Sequence, residues 1–191
     1  ENGAVGIITY DGNANYADDD IDLRELRSFV REGCDGKKIP CVNINAKSAI
    51  KLVNQNSATA KIVLNQDEWM GDSHNVILDL PGETDEMIVL SAHYDSTPLS
   101  QGVYDNMSGS VGLLGIADYF RQHPHRYSLR FLWCGSEERG LLGSKAYVAA
   151  HEEDLKKTVL NINLDMIGCI MGKFIACCTS EEKLVHYIEY L

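Results

Sequence analysis

Short apolar runs, separated by polar, glycine-rich or charged stretches, organise this chain. AVGIITY, from Ala4 to Tyr10, is dense in β-branched residues and predicts a buried strand. CVNIN, from Cys41, predicts a second strand and ATAKIVLNQ a third. Between these two, AKSAIKLVNQ predicts a short helix with Ala49, Ile50, Leu52 and Val53 turned inward. Ile21 to Arg31 has modest helical spacing, and Lys37-Lys38-Ile39-Pro40 reads as a break. Asp11 to Asp20 reads as loop, and its three adjacent aspartates, Asp18 to Asp20, fit a solvated acidic segment better than a calcium site. The first stretch, 1–70, is thus a small α/β module.

The pattern changes at Asp72. NVILDL, MIVLSAHYDS, LRFLWC, VLNINLDMI and KFIACC predict strands, and LRFLWC has so few polar positions that it should be buried on both faces. Asn106 to Arg121, Leu141 to His151 and the run from Glu181 predict helices. In the first of these, Val111, Leu114, Ala117 and Tyr119 or Phe120 are candidates for the interior. Gly109, Gly112 and Gly115 recur there at every third position. Each costs about 0.5–1 kcal/mol against alanine in a helix, so this face should lie very close to a sheet or another backbone. Strands alternating with helices over 71–191 predict an α/β sandwich with a mainly parallel sheet.

Composition narrows the class. Of 191 residues, 45% are hydrophobic and 24% charged, the balance of a packed globular protein rather than a disordered or fibrous one. No apolar run approaches the roughly 20 residues that span a bilayer. The net charge of −11, most of it from residue 71 onward, argues against nucleic-acid binding. The chain begins without Met in a strand-like run and stops at Leu191 in a helix-like one, so it reads as a piece of a longer protein. It carries no secretory signal. The cysteines at 34, 41, 134, 169, 177 and 178 form no C-x-x-C pair, which argues against a thiolate zinc site. Cys134 belongs to a core strand. Cys34 and Cys41 are spaced to bridge a loop in an oxidising compartment, although free thiols are the favoured reading.

The chemistry lies where strands end. His93-Tyr94-Asp95, Asp105-Asn106, Ser136-Glu137-Glu138 and Asn163-Leu164-Asp165 each follow or close an apolar run. Open α/β sheets build their sites at the carboxyl ends of strands, so the four clusters can meet in one crevice. Five carboxylates beside one imidazole would repel unless divalent cations gathered them. Histidine with carboxylates suits zinc, with manganese or cobalt as alternatives. The surplus of carboxylates points to two ions sharing a bridging ligand. In H-x-D, extended residues i and i+2 share a face, so the Asp95 carboxylate should accept the second N–H of His93. Glu137 and Glu138 should point in different directions, one toward metal and one toward substrate.

SAHYDS, GVYDNMSG, FLWCGSEERGLLGS and LNINLDMIG closely resemble, in order and in strand context, the co-catalytic zinc exopeptidases of the aminopeptidase Y and bacterial leucyl aminopeptidase type, the clan that also includes glutamate carboxypeptidase. The resemblance covers about residues 72–191. It implies a three-layer α/β/α zinc-exopeptidase (phosphorylase/hydrolase-like) fold with a mixed, mainly parallel sheet, incomplete at its C-terminus. It implies that His93 and Asp165 hold one zinc, that Glu138 holds a second and that Asp105 bridges the two. Glu137 would be the general base, taking a proton from the attacking water and passing it to the leaving amine, and Asp95 would support His93. The Asp105–Asn106 peptide is expected to be cis. The family's fifth ligand, a histidine well beyond the Asp165 match, has no counterpart here; His186, 21 residues on in a helix-like run, is a poor candidate. An extracellular or cell-envelope location follows from the resemblance alone. AVGIITYDG and IPCVNINAKSAIKLV resemble, more loosely, the distal part of a protease-associated domain.

Three functions compete. The first is a metallo-exopeptidase acting on peptides, aminopeptidase rather than carboxypeptidase. The second is a glutaminyl cyclase-like transferase with a single zinc on the same fold. The third is a non-catalytic receptor or binding module that has lost its metals. Retention of every carboxylate argues against the third, because such a cluster without metal is costly.

Overall fold

A computed structural model describes residues 3–10, 29–32, 36–65, 67, 69–97, 100–168 and 184–186. The chain divides into two compact units, Glu1–Gly71 and Asp72–Leu191. Among the described residues no helix is long and apolar enough to cross a membrane.

The first unit contains a three-stranded sheet of β1 (Ile7–Tyr10), β2 (Phe29–Glu32) and β3 (Lys38–Ile44), in the order β1-β3-β2. β1 runs parallel to β3 and β2 antiparallel to it. Helix α1 (Ala46–Gln55) follows, and the Asn45 side chain caps it by accepting the Ser48 N–H at 2.7 Å. Several expectations are corrected here. Phe29–Glu32 is a strand rather than a helix end, and Lys38-Ile39-Pro40 opens β3 instead of breaking the chain. Pro40 pairs with Val30 of β2 and lies one residue before the β1 ladder starts at Cys41. Residues 58–65 join no ladder. The strand at Ile7–Tyr10 is not buried, with Tyr10 60% exposed. On α1 only Ala49 is buried, whereas Ile50, Leu52 and Val53 face outward. The Asp18 to Asp20 loop, Cys34, Cys169, Cys177, Cys178 and the KFIACC segment lie outside the described residues. Cys41 and Cys134 are buried free thiols.

The second unit contains β4 (Val76–Leu80), β5 (Thr84–His93), β6 (Tyr127–Cys134) and β7 (Thr158–Asn163), in the order β4-β6-β5-β7. β4 is antiparallel to β6, and β5 is parallel to both β6 and β7, so the sheet is mixed and mainly parallel. Helix α2 (Ser108–Arg121) links β5 to β6. Helices α3 (Leu142–Ala150) and α4 (Glu152–Leu155) link β6 to β7. The period-two alternation of β6 feeds two cores. Leu129, Phe131 and Trp133 pack with Leu90, Ala92, Leu113 and Ala117 on the α2 face. Leu132 and Cys134 pack with Val89 and Tyr147 on the α3 face. This is the three-layer arrangement, with β6 buried on both faces as its sequence predicts.

Helix α2 corrects the expected face in part: Ala117 and Phe120 pack inward as predicted, but Val111 and Leu114 do not. Gly109, Ser110, Leu113 and Ala117 point inward, while Val111 and Leu114 are more than half exposed. The smallest residues lie nearest the neighbouring backbone. A Cβ at Gly109 would clash with backbone and one at Gly112 with Ile167, but Gly115 faces open space.

Beneath α3, Arg130 is buried, 7% exposed. It donates to both carboxylate oxygens of Asp79 (2.7 and 2.8 Å) and to Asp154 (2.6 Å). Arg130, and then His151, hold the Asp154 carboxyl below the usual carboxylate range. A depressed folded-state pKa stabilises above the unfolded value, about 4, and the stabilisation is lost as pH falls through the folded pKa. In metal-free protein, Asp154→Asn should therefore melt below wild type at neutral pH, and the gap should close below about pH 4. Melting curves across pH check this; a constant gap would contradict it.

Candidate metal centre

The topology fixes where the polar clusters meet. From β5 the chain crosses by α2 on one face to β6, and from β6 by α3 and α4 on the other face to β7 on the far side of β5. The carboxyl end of β5 is thus a topological switch point, where open sheets leave a crevice. His93 is the last residue of β5 and pairs with Cys134, the last of β6, while Ser91 pairs with Asn163, the last of β7. The segments that leave β6 and β7 therefore carry Glu137 and Asp165 to the level of His93.

His93 is 4% exposed. Its Nε2 lies 3.1 Å from Asp105 Oδ1, 3.6 Å from Asp165 Oδ1 and 3.9 Å from Glu137 Oε2. Ligand atoms of His93, Asp105 and Asp165 all fall within 4.8 Å of one another. Burial acts to lower the pKa of His93, but Asp165, Glu137, the Asp95 carbonyl and Asp105 outweigh it, and the pKa is raised. Asp105 lies in a wide turn, Val103–Met107, that leads into α2, and its peptide bond to Asn106 is cis.

Asp95 meets His93 through a different atom from the one expected. His93 Nδ1 bonds the main-chain carbonyl of Asp95 at 3.0 Å, and the Asp95 carboxylate is 3.6 Å away. That carboxylate instead accepts the N–H of Glu137 (2.9 Å) and of Glu138 (3.1 Å). β5 ends at His93, so strand alternation no longer governs the residue two places on. Asp95 thus fixes the peptide that carries the glutamate pair, and the two side chains diverge. Glu137 lines a cavity of about 390 Å³ together with His93, Asp165, Ser91, Cys134 and Tyr147. Glu138 turns inward, and its Oε1 is buried without a hydrogen-bond partner. Burial, then Asp105 and Glu137, raise its pKa. Burial also pushes the Cys134 thiol up to about 11, with Asp95 and Glu137 adding to the effect.

Glu138 lies outside the three-residue cluster, and so does His186 among the described residues. Two non-glycine residues beside the site hold left-handed backbone, Ser136 (φ 56°) before Glu137 and Met166 (φ 51°) after Asp165. Each such residue costs about 1–2 kcal/mol. Sequence reasoning named Asn106 only as part of the Asp105-Asn106 cluster, without a role for its side chain, and did not single out Ser110. Both are buried polar residues, and Ser110 Oγ donates to the His93 carbonyl at 2.8 Å.

The donor set fits divalent metal. Two unit charges 4 Å apart interact by about 4 kcal/mol at the effective dielectric of a protein surface. One imidazole cannot offset the carboxylates around it, and Glu138 Oε1 has no donor.

The family model described as Peptidase family M28 matches residues 75–188. Aminopeptidase YwaD of Bacillus subtilis (strain 168) is 37% identical over 134 residues, covering 68% of this chain and 29% of that protein. A zinc aminopeptidase structure from Bacillus subtilis superposes with a TM-score of 0.60 at 30% identity, over 87% of this chain and 39% of that one. An Acidobacteriales glutaminyl cyclase structure matches with a TM-score of 0.54 at 26% identity, over 61% of this chain and 45% of that one. The chain spans about a third of the length of the curated relatives it matches.

Proposed function

The chain belongs to Peptidase family M28, and from that premise we propose that it carries the metal ligands and general base of a zinc-dependent aminopeptidase that hydrolyses peptides. The observation that carries the reading is the gathering of His93, Asp105 and Asp165 within 4.8 Å, beside a buried glutamate oxygen with no partner. His93 and Asp165 would hold one zinc and Glu138 another, with Asp105 between them. The charge balance favours two ions, since one dication leaves most of the five carboxylates uncompensated. Zinc, when bound, acidifies a coordinated water and polarises the scissile carbonyl.

The residues of the chain supply the rest. Glu137 Oε2 is free to face the cavity because Asp95 holds its backbone N–H. There it accepts a proton from the attacking water and returns it to the leaving amine nitrogen. The Asp95 carbonyl holds His93 Nδ1, which leaves Nε2 as the ligand atom. Residues 1–70 we assign to a protease-associated-like module.

A second reading, a single-zinc cyclase, draws on the match to a glutaminyl cyclase structure. Metal analysis separates the two. The peptidase reading expects two zinc ions per intact protein and hydrolysis that a chelator abolishes and zinc restores. One ion, with cyclisation of N-terminal glutamine and no peptide hydrolysis, would overturn it.

A further inference from the structure

Asn106 is 1% exposed, one of the three most deeply buried large side chains among the described residues. Its Nδ2 donates to the Leu164 carbonyl at 3.0 Å. Its Oδ1 accepts the N–H of Met166 at 3.0 Å and the N–H of Gly109 at 3.0 Å. The two loop contacts fall on either side of Asp165, and the third fixes the first turn of α2. There is no slack in this arrangement. A Cβ at position 109 would lie 2.3 Å from Leu164 O and 2.5 Å from Asn106 Oδ1. The same turn of α2 also holds His93, through the bond from Ser110 Oγ to the His93 carbonyl.

The carboxamide donates through its nitrogen to Leu164 O and accepts both N–H groups at its oxygen, a division of labour that an ionised carboxylate, which has no donor, cannot supply. Met166 also holds left-handed backbone, which a non-glycine residue keeps only when its surroundings impose it. We infer that Asn106 is a positioning residue, which clamps the backbone on both sides of Asp165 and so sets its carboxylate against Asp105 and His93 for metal binding. This assignment rests on the zinc reading above. Asn106 acts through Asp165, by its bonds to Leu164 and Met166.

The test is zinc affinity of the intact protein, measured by competition with a chromophoric chelator. Residues that orient metal ligands typically change affinity 10- to 100-fold when lost, and Asn106→Ala should weaken zinc by about that factor. Leu129→Ala, in the core at the far end of β6, should lower the melting temperature of metal-free protein and leave zinc affinity unchanged. An Asn106→Ala protein that binds zinc as tightly as wild type overturns this assignment alone. A wild-type protein that binds no zinc overturns the zinc reading, and this assignment with it. If Asn106→Ala does not fold, hydrogen exchange of the wild-type protein decides. The Met166 amide should then be protected in the metal-free state, and exchange at the rate of an open loop would refute the clamp.

Discussion

Replacing Glu137 with alanine is expected to lower kcat by about 10²- to 10⁴-fold, the usual contribution of a general base, and to leave zinc content unchanged. The geometry separates these two effects. Glu137 Oε2 is the outermost of the carboxylate oxygens around His93 Nε2, at 3.9 Å, and it faces the cavity. Asp105, Asp165 and the inward-turned Glu138 remain when it is removed. The backbone N–H of residue 137 still donates to Asp95, so the peptide beside Glu138 keeps its place. Glutamine at this position should be as inactive as alanine, because an amide accepts no proton at neutral pH. Rate measurements alongside metal analysis check the prediction. An active Glu137→Ala protein, or one that loses zinc, would remove Glu137 from the role of base.

The second large effect is loss of metal in Asp105→Ala. Asp105 Oδ1 is the carboxylate oxygen closest to His93 Nε2, at 3.1 Å. Its side chain is 45% exposed, so its removal opens no cavity in the core. Surface changes of this kind alter stability by about 0.5 kcal/mol or less. The metal-free variant should therefore melt close to wild type while its zinc content falls by at least one ion per chain. Removal of one like charge from the cluster would, if anything, stabilise the metal-free state. Undiminished zinc content would contradict the bridging role; a collapse of the metal-free fold would show that Asp105 is structural.

Much of the second unit was legible because its strands announce themselves. The later parts of β5 and β6, MIVLSA and LRFLWC, are mostly apolar, and polar clusters begin at His93 and at Ser136 just beyond them, so the end of the pattern marked the rim of the sheet. What periodicity could not show was which face of α2 is inward. The inward face is made of Gly109 and Ser110 as well as Leu113, because close approach to the 164–166 segment excludes side chains at 109. A scale that rewards large apolar residues favours Val111 and Leu114 instead. The bond partners of Asp95 were hidden for another reason. They are backbone N–H groups 42 and 43 residues away, and only the parallel pairing of β5 with β6 brings them near. In the first unit, Phe29–Glu32 becomes a strand through pairing with β3 and not through its own composition, FVRE. The outward-facing Ile50, Leu52 and Val53 of α1 show that amphipathic spacing locates a helix more securely than it locates the layer that covers it.

The account depends on metal ions holding the acidic side chains together at the end of β5. Anomalous diffraction at the zinc absorption edge, from crystals of the intact protein grown with zinc, addresses this directly. The account predicts two peaks, one among His93, Asp105 and Asp165 and the other between Asp105 and Glu138. An empty site, or a single peak that leaves Glu138 uncoordinated, would contradict it.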